Sequence, residues 1–147
     1  MLNQFTKAMK ESSSKGSVVI VEDDMLLSLV EARIIEKLGY TVVGKAQTGE
    51  QAVEMASELK PDVIVMDMSL KGKMNGLDAS EEIRRFSDVS IIFLSGSAES
   101  DLMKTAKRLG NADYLVKPIK ADDMLLPLKK AMKSSGKKSG KVFSQAS

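Results

Sequence analysis

DVIVMD, residues 62–67, decides the fold of this chain. The segment follows Lys60-Pro61, a pair that ends helices, and sets four apolar residues in a row, Val63, Ile64, Val65 and Met66, between two aspartates. A strand with one wet face alternates apolar and polar residues, whereas a short run with no polar position must be covered on both faces. Working outward, VVIV at 18–21 and IIFL at 91–94 repeat the pattern. Covered strands of this kind belong to a parallel sheet between two layers of helices.

The segments between these runs supply the helices. Residues 17–22 read as a first strand, and 25–38 as a helix spaced through Leu26, Leu29, Val30, Ile34 and Leu38 that stops at Gly39. Residues 40–46 read as a strand. Thr48 with Gln51 forms a capping box before a helix carrying Ala52, Val53, Ala56 and Leu59. After the strand at 62–66 come a glycine-bearing loop and a helix near 77–86, then a strand at 89–94. Ser97 or Ser100 caps the next helix, which ends at Leu109-Gly110; a strand at 112–116 and a helix after Pro118 complete the series. Pro127 lies inside that last helix, where it removes a hydrogen bond and clashes with the preceding turn, so a kink or restart is expected there. Five strand–helix repeats make an α/β protein with a doubly wound five-stranded parallel sheet, whose ligand site lies at the carboxyl ends of the central strands.

What stands at those ends is chemical. The first strand runs into Glu22-Asp23-Asp24, the third into Asp67, the fourth into Ser95-Gly96-Ser97 and the fifth into Lys117-Pro118. Carboxylates gathered at one edge repel each other, and a hard divalent cation relieves this; Mg²⁺, or Mn²⁺ in its place, needs only one or two carboxylates plus water and phosphate oxygens. The chain has no Cys and no His, which excludes disulfides, thiolate or imidazole metal sites, Ser-His-Asp chemistry and a phosphohistidine of its own. A cation, a lysine and a hydroxyl around one aspartate suit phosphoryl transfer, with Asp67 as the nucleophile. Taken singly, the residues have plainer roles: Asp24 reads better as an N-cap than as a ligand, and a lone Asp or Lys-Pro after a strand is a turn. The weight comes from the set at successive strand ends.

With these residues in place, the sequence resembles the receiver domain of two-component response regulators, the CheY-like family, over about residues 17–132. The resemblance is carried by VEDD (21–24), DVIVMD (62–67), MNGLDA (74–79), IIFLSG (91–96) and YLVKP (114–118). It implies a flavodoxin-like (βα)5 fold with strand order 2-1-3-4-5. By residue, it implies Asp67 as phosphoacceptor and Asp23 as direct Mg²⁺ ligand together with Asp67, with Glu22 as outer or alternate acid. The main-chain carbonyl of Ser69 would be a further ligand. Lys117 and Ser95 would contact the phosphoryl group, Ser95 and Tyr114 would form the switch, and Ser69 and Ser97 would tune the phosphate lifetime. The implied partners are a sensor histidine kinase or histidine phosphotransfer protein, and a downstream protein bound through the helix 4–strand 5–helix 5 face; a homodimer is a further option. The chain departs from the family pattern in three places: the loop DMSLKGKMNG (67–76) is one residue longer, lacks the usual proline and has Asn75 where Asp is common; Ile119 follows Lys-Pro; and Pro127 interrupts the last helix.

The ends differ from the body. Residues 17–128 hold 13 Lys/Arg against 19 Asp/Glu, whereas 129–147 hold six Lys and no acid. The organisation expected is an N-terminal extension at 1–16, flexible or a short helix with Leu2, Phe5 and Met9 on one face, a receiver domain at 17–132, and a basic flexible tail at 133–147. No aromatic–basic interleaving supports direct DNA binding, and no apolar run suits a membrane or a secretory signal, so a cytoplasmic location is expected. With few residues beyond 132, the chain is read as a stand-alone receiver or a piece of a longer protein. It is expected to be no enzyme, catalysing only its own phosphorylation and dephosphorylation. The alternatives are a Mg²⁺-dependent phosphatase with an aspartate nucleophile, disfavoured because Ser69 stands where such enzymes have a second Asp, and an interaction module that works without phosphorylation.

Overall fold

The computed structural model describes residues 13–96 and 100–136. Strands and helices alternate along the described chain: β1 (Ser17–Val21), α1 (Met25–Lys37), β2 (Thr41–Ala46), α2 (Gly49–Leu59), β3 (Val63–Asp67), α3 (Gly76–Arg84), β4 (Ser90–Ser95), α4 (Ser100–Leu109), β5 (Ala112–Val116) and α5 (Ala121–Ser134). All strand pairs are parallel and the sheet order is β2-β1-β3-β4-β5, the doubly wound order expected.

The continuous apolar runs are explained by two cores, one on each face of the sheet. Val18, Ile20, Val63, Val65, Ile92 and Leu94 point into a core closed by Ala32 and Ile35 of α1 and by Met124, Leu128, Ala131 and Met132 of α5. Their neighbours Val19, Val21, Ile64, Met66, Ile91 and Phe93 point the other way, into a core closed by Ala52 and Ala56 of α2, Ala79 and Ile83 of α3 and Leu102 of α4. Each fully buried aliphatic side chain contributes about 1.5–3 kcal/mol relative to exposure. These three strands, buried on both sides, are the frame on which the strand-end residues stand.

Several local expectations change. Asp67 belongs to β3, pairing with Leu94, while Asp62 precedes the strand and its carboxylate accepts the Ser17 N–H at 2.8 Å. Only half of the capping box at Thr48 forms. The Thr48 hydroxyl accepts the Gln51 N–H at 3.1 Å, but the Gln51 side chain accepts from the Gln47 N–H at 2.8 Å, one residue before the cap. The full box is at α3, where Asn75 accepts from Asp78 N–H and Asp78 accepts from Asn75 N–H. Helix α5 passes through Pro127 without a restart. Pro127, Leu128, Ala131 and Met132 are all buried against the sheet, and this burial offsets a proline cost of about 3 kcal/mol. The same helix reaches Ser134, two residues into the segment 133–147 read as a tail.

Helix α1 is turned differently from its hydrophobic pattern. Its buried residues are Ser28, Glu31, Ala32 and Ile35, whereas Leu26 is 70% exposed and Met25, Leu29 and Val30 also face outward. The Asp24 carboxylate caps this helix, accepting the N–H groups of Leu26 and Leu27 at 2.9 and 3.1 Å, the N-cap role read for Asp24 in the sequence. At the far end of the sheet, Arg84 ties α3 to the end of α4. Its guanidinium donates to the carbonyls of Val89 and Gly110 at 2.7 Å, Asn111 at 3.1 Å and Leu109 at 3.2 Å. Among the described residues no helix is long and apolar enough to cross a membrane. The segment with Leu2, Phe5 and Met9, Ser97, and positions 137–147 of the tail lie outside the described residues.

Candidate functional site

The parallel sheet brings the carboxyl ends of β1 and β3 side by side, since Val21 pairs with Met66. The next residues are Glu22 and Asp67, and both are buried, at 1% and 3% exposure. Glu22, Asp23 and Asp67 each place a carboxylate oxygen within 4.8 Å of the other two. Lys117, just past β5, reaches across the sheet edge: its Nζ lies 3.3 Å from Glu22 Oε1 and 3.3 Å from Asp67 Oδ1. The Lys117 N–H donates to the Ser95 carbonyl at 2.7 Å, and the Lys117–Pro118 peptide is cis.

Main-chain donors hold the acids in place. Asp67 Oδ1 accepts the Ser69 N–H at 2.9 Å, and Glu22 Oε2 accepts the Asp24 N–H at 3.2 Å. Asp23 Oδ2 accepts the Lys71 N–H at 3.0 Å. This last bond belongs to the long loop after Asp67. A proline has no N–H to give, whereas Lys71 has one, and buried Leu70 beside it anchors the loop in the core under α2 and α3. The loop then turns at Gly72, φ 100°, and returns to the Asn75 cap of α3. Gly76, the first residue of α3, lies so close to β3 that a Cβ there would collide with the Asp67 carbonyl oxygen.

The structure therefore brings together Glu22, Asp23, Asp67 and Lys117, with Ser69 at the pocket edge and Ser95 at the neighbouring strand end. Tyr114 does not enter this pocket. It sits in mid-β5, half-buried, against the core on the α2–α4 side. One residue was missed by sequence reasoning. Glu31, 8% exposed, lies on the inner face of α1. The signal was its spacing with Ser28, Ala32 and Ile35, an interior stripe that the stronger apolar pattern of Leu26, Leu29 and Val30 concealed.

Two carboxyls in contact share a proton. Burial, then the hydrogen bond and charge of Glu22, push the Glu31 carboxyl up to about 9. Burial also raises Glu22, opposed by hydrogen bonds from Glu31 and from the Asp24 N–H. For Lys117 burial acts downward, but the charges of Asp67 and Glu22 outweigh it and its pKa ends above the ordinary value. Between Glu31's ordinary value of 4.5 and about 9, the folded protein holds a proton that the unfolded chain has released. Stability then falls as pH rises through that window. Urea midpoints of metal-free protein measured between about pH 5.5 and 8.5 are expected to decline steadily, and Glu31→Gln to flatten the decline. A midpoint that rises with pH over this range contradicts the assignment.

Three carboxylates facing one lysine leave the pocket negative, and this donor set of hard oxygens fits Mg²⁺. Bound cation should stabilise the fold by about 2.7 kcal/mol at a hundred times its Kd, read as a rise in melting temperature that EDTA reverses and Asp23→Ala abolishes.

Comparison with known proteins gives one consistent result. The family description "Response regulator receiver domain" matches residues 18–129. The transcriptional regulatory protein PdtaR of Mycobacterium tuberculosis is 35% identical over 108 residues, covering 74% of this chain and 52% of that protein. The chain thus spans about half the length of that relative. The chemotaxis protein CheY of Thermotoga maritima is 36% identical over 117 residues, covering 79% of this chain and 97% of that protein. Among solved structures, the signal receiver domain of a modulated diguanylate cyclase from Desulfovibrio desulfuricans G20 superposes with a TM-score of 0.72 at 32% identity, covering 82% of this chain and 96% of that one.

Proposed function

This chain belongs to the response regulator receiver family, whose members act as signalling switches in two-component systems, and on that premise we propose that it accepts a phosphoryl group on Asp67 in a Mg²⁺-dependent reaction and alters its partner-binding surface in response. The observation that carries this reading is Lys117 Nζ, 3.3 Å from both Asp67 Oδ1 and Glu22 Oε1 in a buried acidic pocket. An ammonium beside Asp67 would neutralise the charge that develops on a transferring phosphoryl group.

Asp67, Asp23 and the Ser69 main-chain carbonyl would hold Mg²⁺ or Mn²⁺, with Glu22 as outer or alternate acid. The ion would supply charge neutralisation at the phosphoryl oxygens. An Asp67 carboxylate oxygen forms the new bond to phosphorus as the donor's P–N or P–O bond breaks, and the leaving group departs with the electron pair. The chain has no His, so a phosphohistidine donor belongs to another protein, a sensor histidine kinase or a histidine phosphotransfer protein. The exposed apolar residues Met25, Leu26 and Leu29, next to the Asp24 cap, offer that donor a surface beside the pocket. Lys117 then pairs with the phosphoryl group and the Ser95 hydroxyl follows the same oxygens. Tyr114 responds to Ser95, and the face formed by α4, β5 and α5 presents the result to a downstream protein. A charge of about −1.5 to −2 added at a buried carboxylate is sufficient to bias such a two-state surface. Ser69, together with Ser97 as the family resemblance has it, would govern water access to the phosphoryl group, and so its lifetime.

The test is to locate the phosphoryl group. Protein treated with Mg²⁺ and acetyl phosphate is reduced with borohydride, which converts an aspartyl phosphate to homoserine, and its peptides are read by mass spectrometry. Homoserine at position 67 is the expected result. Its appearance at another aspartate, or nowhere, overturns the reading.

A further inference from the structure

The three acids of the pocket are held by three main-chain donors, and one of these comes from far along the chain. Glu22 and Asp67 each take theirs from two residues on, the N–H groups of Asp24 and Ser69. Asp23 takes its donor from the loop after β3: Oδ2 accepts the Lys71 N–H at 3.0 Å, across 48 residues of sequence. Among the described residues this is the one hydrogen bond that the Asp23 carboxylate makes. Asp23 is also the most open of the three acids, half-buried where Glu22 and Asp67 are buried. The loop that presents the Lys71 N–H is fastened on both sides of it. Leu70, 5% exposed, lies in the same core as Ala52, Ala56 and Ile83. Met74 packs so tightly on the start of α2 that a Cβ at Gly49 would come within 2.6 Å of the Met74 carbonyl oxygen. A donor built into such a frame needs no side chain to be ordered before it can act.

We infer that Lys71 is a positioning residue for the cation subsite, acting through its main-chain N–H, which holds one oxygen of Asp23 and leaves the other for the ion. The inference rests on the reading of Glu22, Asp23 and Asp67 as a cation site. Without this bond the half-buried Asp23 side chain is free to turn toward solvent, away from Glu22 and Asp67, and cation binding must order it again. The Lys71 ammonium takes no part. Since the same loop carries the Ser69 N–H on Asp67, one segment aligns acids from the ends of both β1 and β3. Outer partners that orient a metal-binding acid typically change metal affinity by about 10–100-fold.

Affinity for Mn²⁺ is measured by titration calorimetry on the full chain, as wild type, Lys71→Pro and Lys71→Ala. The proline has no N–H, and affinity about tenfold weaker is expected with the fold intact by melting. The alanine keeps the N–H and loses one exposed charge, so affinity within about threefold of wild type is expected. A second readout follows from reciprocity: if the bond favours the cation, the cation favours the bond, and saturating Mg²⁺ should slow hydrogen exchange of the wild-type Lys71 amide by a similar factor of about ten. Unchanged affinity in the proline chain overturns the proposal. Equal weakening by Pro and Ala also overturns it, because the side chain is then what matters. An amide whose exchange ignores Mg²⁺ does the same, because the proline has then acted by distorting the loop. Should the proline chain fail to fold, an ester in place of the Leu70–Lys71 peptide bond removes the same N–H with the side chain kept, and the same tenfold loss is expected. A wild-type chain that binds no Mn²⁺ overturns the cation site itself and this inference with it, an outcome distinct from the failures above.

Discussion

An Asp67→Asn chain incubated with Mg²⁺ and acetyl phosphate is expected to gain no phosphoryl mass, while the wild type gains one group. The amide has no anionic oxygen to form the bond, so the loss is complete rather than partial. The same substitution should leave the fold standing and raise its stability without metal. Asp67 is a buried acid gathered with Glu22 and Asp23 around a single lysine, and the Asn carbonyl still accepts the Ser69 N–H. Removing one like charge is worth about 1 kcal/mol, or roughly 4 °C in melting temperature. The added stability from Mg²⁺ should shrink in parallel. A mass gain retained in the variant would show that another residue accepts the phosphoryl group, and a collapsed variant would show that Asp67 is structural.

The second large effect is at Gly76. A Cβ at this position would meet the Asp67 carbonyl oxygen and come within 3.0 Å of Met68 Cα, all main-chain atoms that cannot step aside. Gly76→Val must push α3 away from β3, which costs about 3 kcal/mol or more and displaces the strand end that carries Asp67. Against a typical total of about 5–15 kcal/mol, much of the stability goes. The contrast is Gly72, where nothing lies within 4 Å of a built Cβ but φ is 100°. Gly72→Ala should cost only about 1 kcal/mol, from the backbone alone. Urea midpoints for the two variants separate the mechanisms, and similar losses at both sites would remove the argument from close approach.

Which parts of the molecule were legible in the sequence follows from how each part is encoded. The runs at Val63–Met66 and its two relatives announce a doubly covered strand because every side chain in them is apolar, whichever way it points. Asp23, Asp67 and Lys117 were legible because a parallel sheet places all its strand ends on one edge, so position along the chain predicts proximity. Helix α1 was legible from its spacing, but its buried face was not. Its strongest apolar stripe, Leu26, Leu29 and Val30, faces out, and the inner face carries Ser28, Glu31, Ala32 and Ile35. The Lys71 N–H on Asp23 left no trace in the sequence, since any residue but proline offers the same main-chain donor. Nor did the sequence reveal the Gln51 side chain reaching Gln47 rather than Thr48, a choice between two amides one residue apart.

If phosphorylation at Asp67 moves α4, the cluster of carbonyls around Arg84 sets where that movement is held. By grasping Leu109, Gly110 and Asn111, the guanidinium turns the lower end of α4 into a fulcrum. A helix held there would move as a lever whose ten residues give it an arm of about 15 Å. A swing of about 10° then carries Ser100 by roughly 2.6 Å while Leu109 stays in place. Cutting the fulcrum with Arg84→Ala should let α4 slide as a whole, so that the same event at Asp67 spreads its displacement over the entire helix rather than concentrating it at the end nearest the pocket.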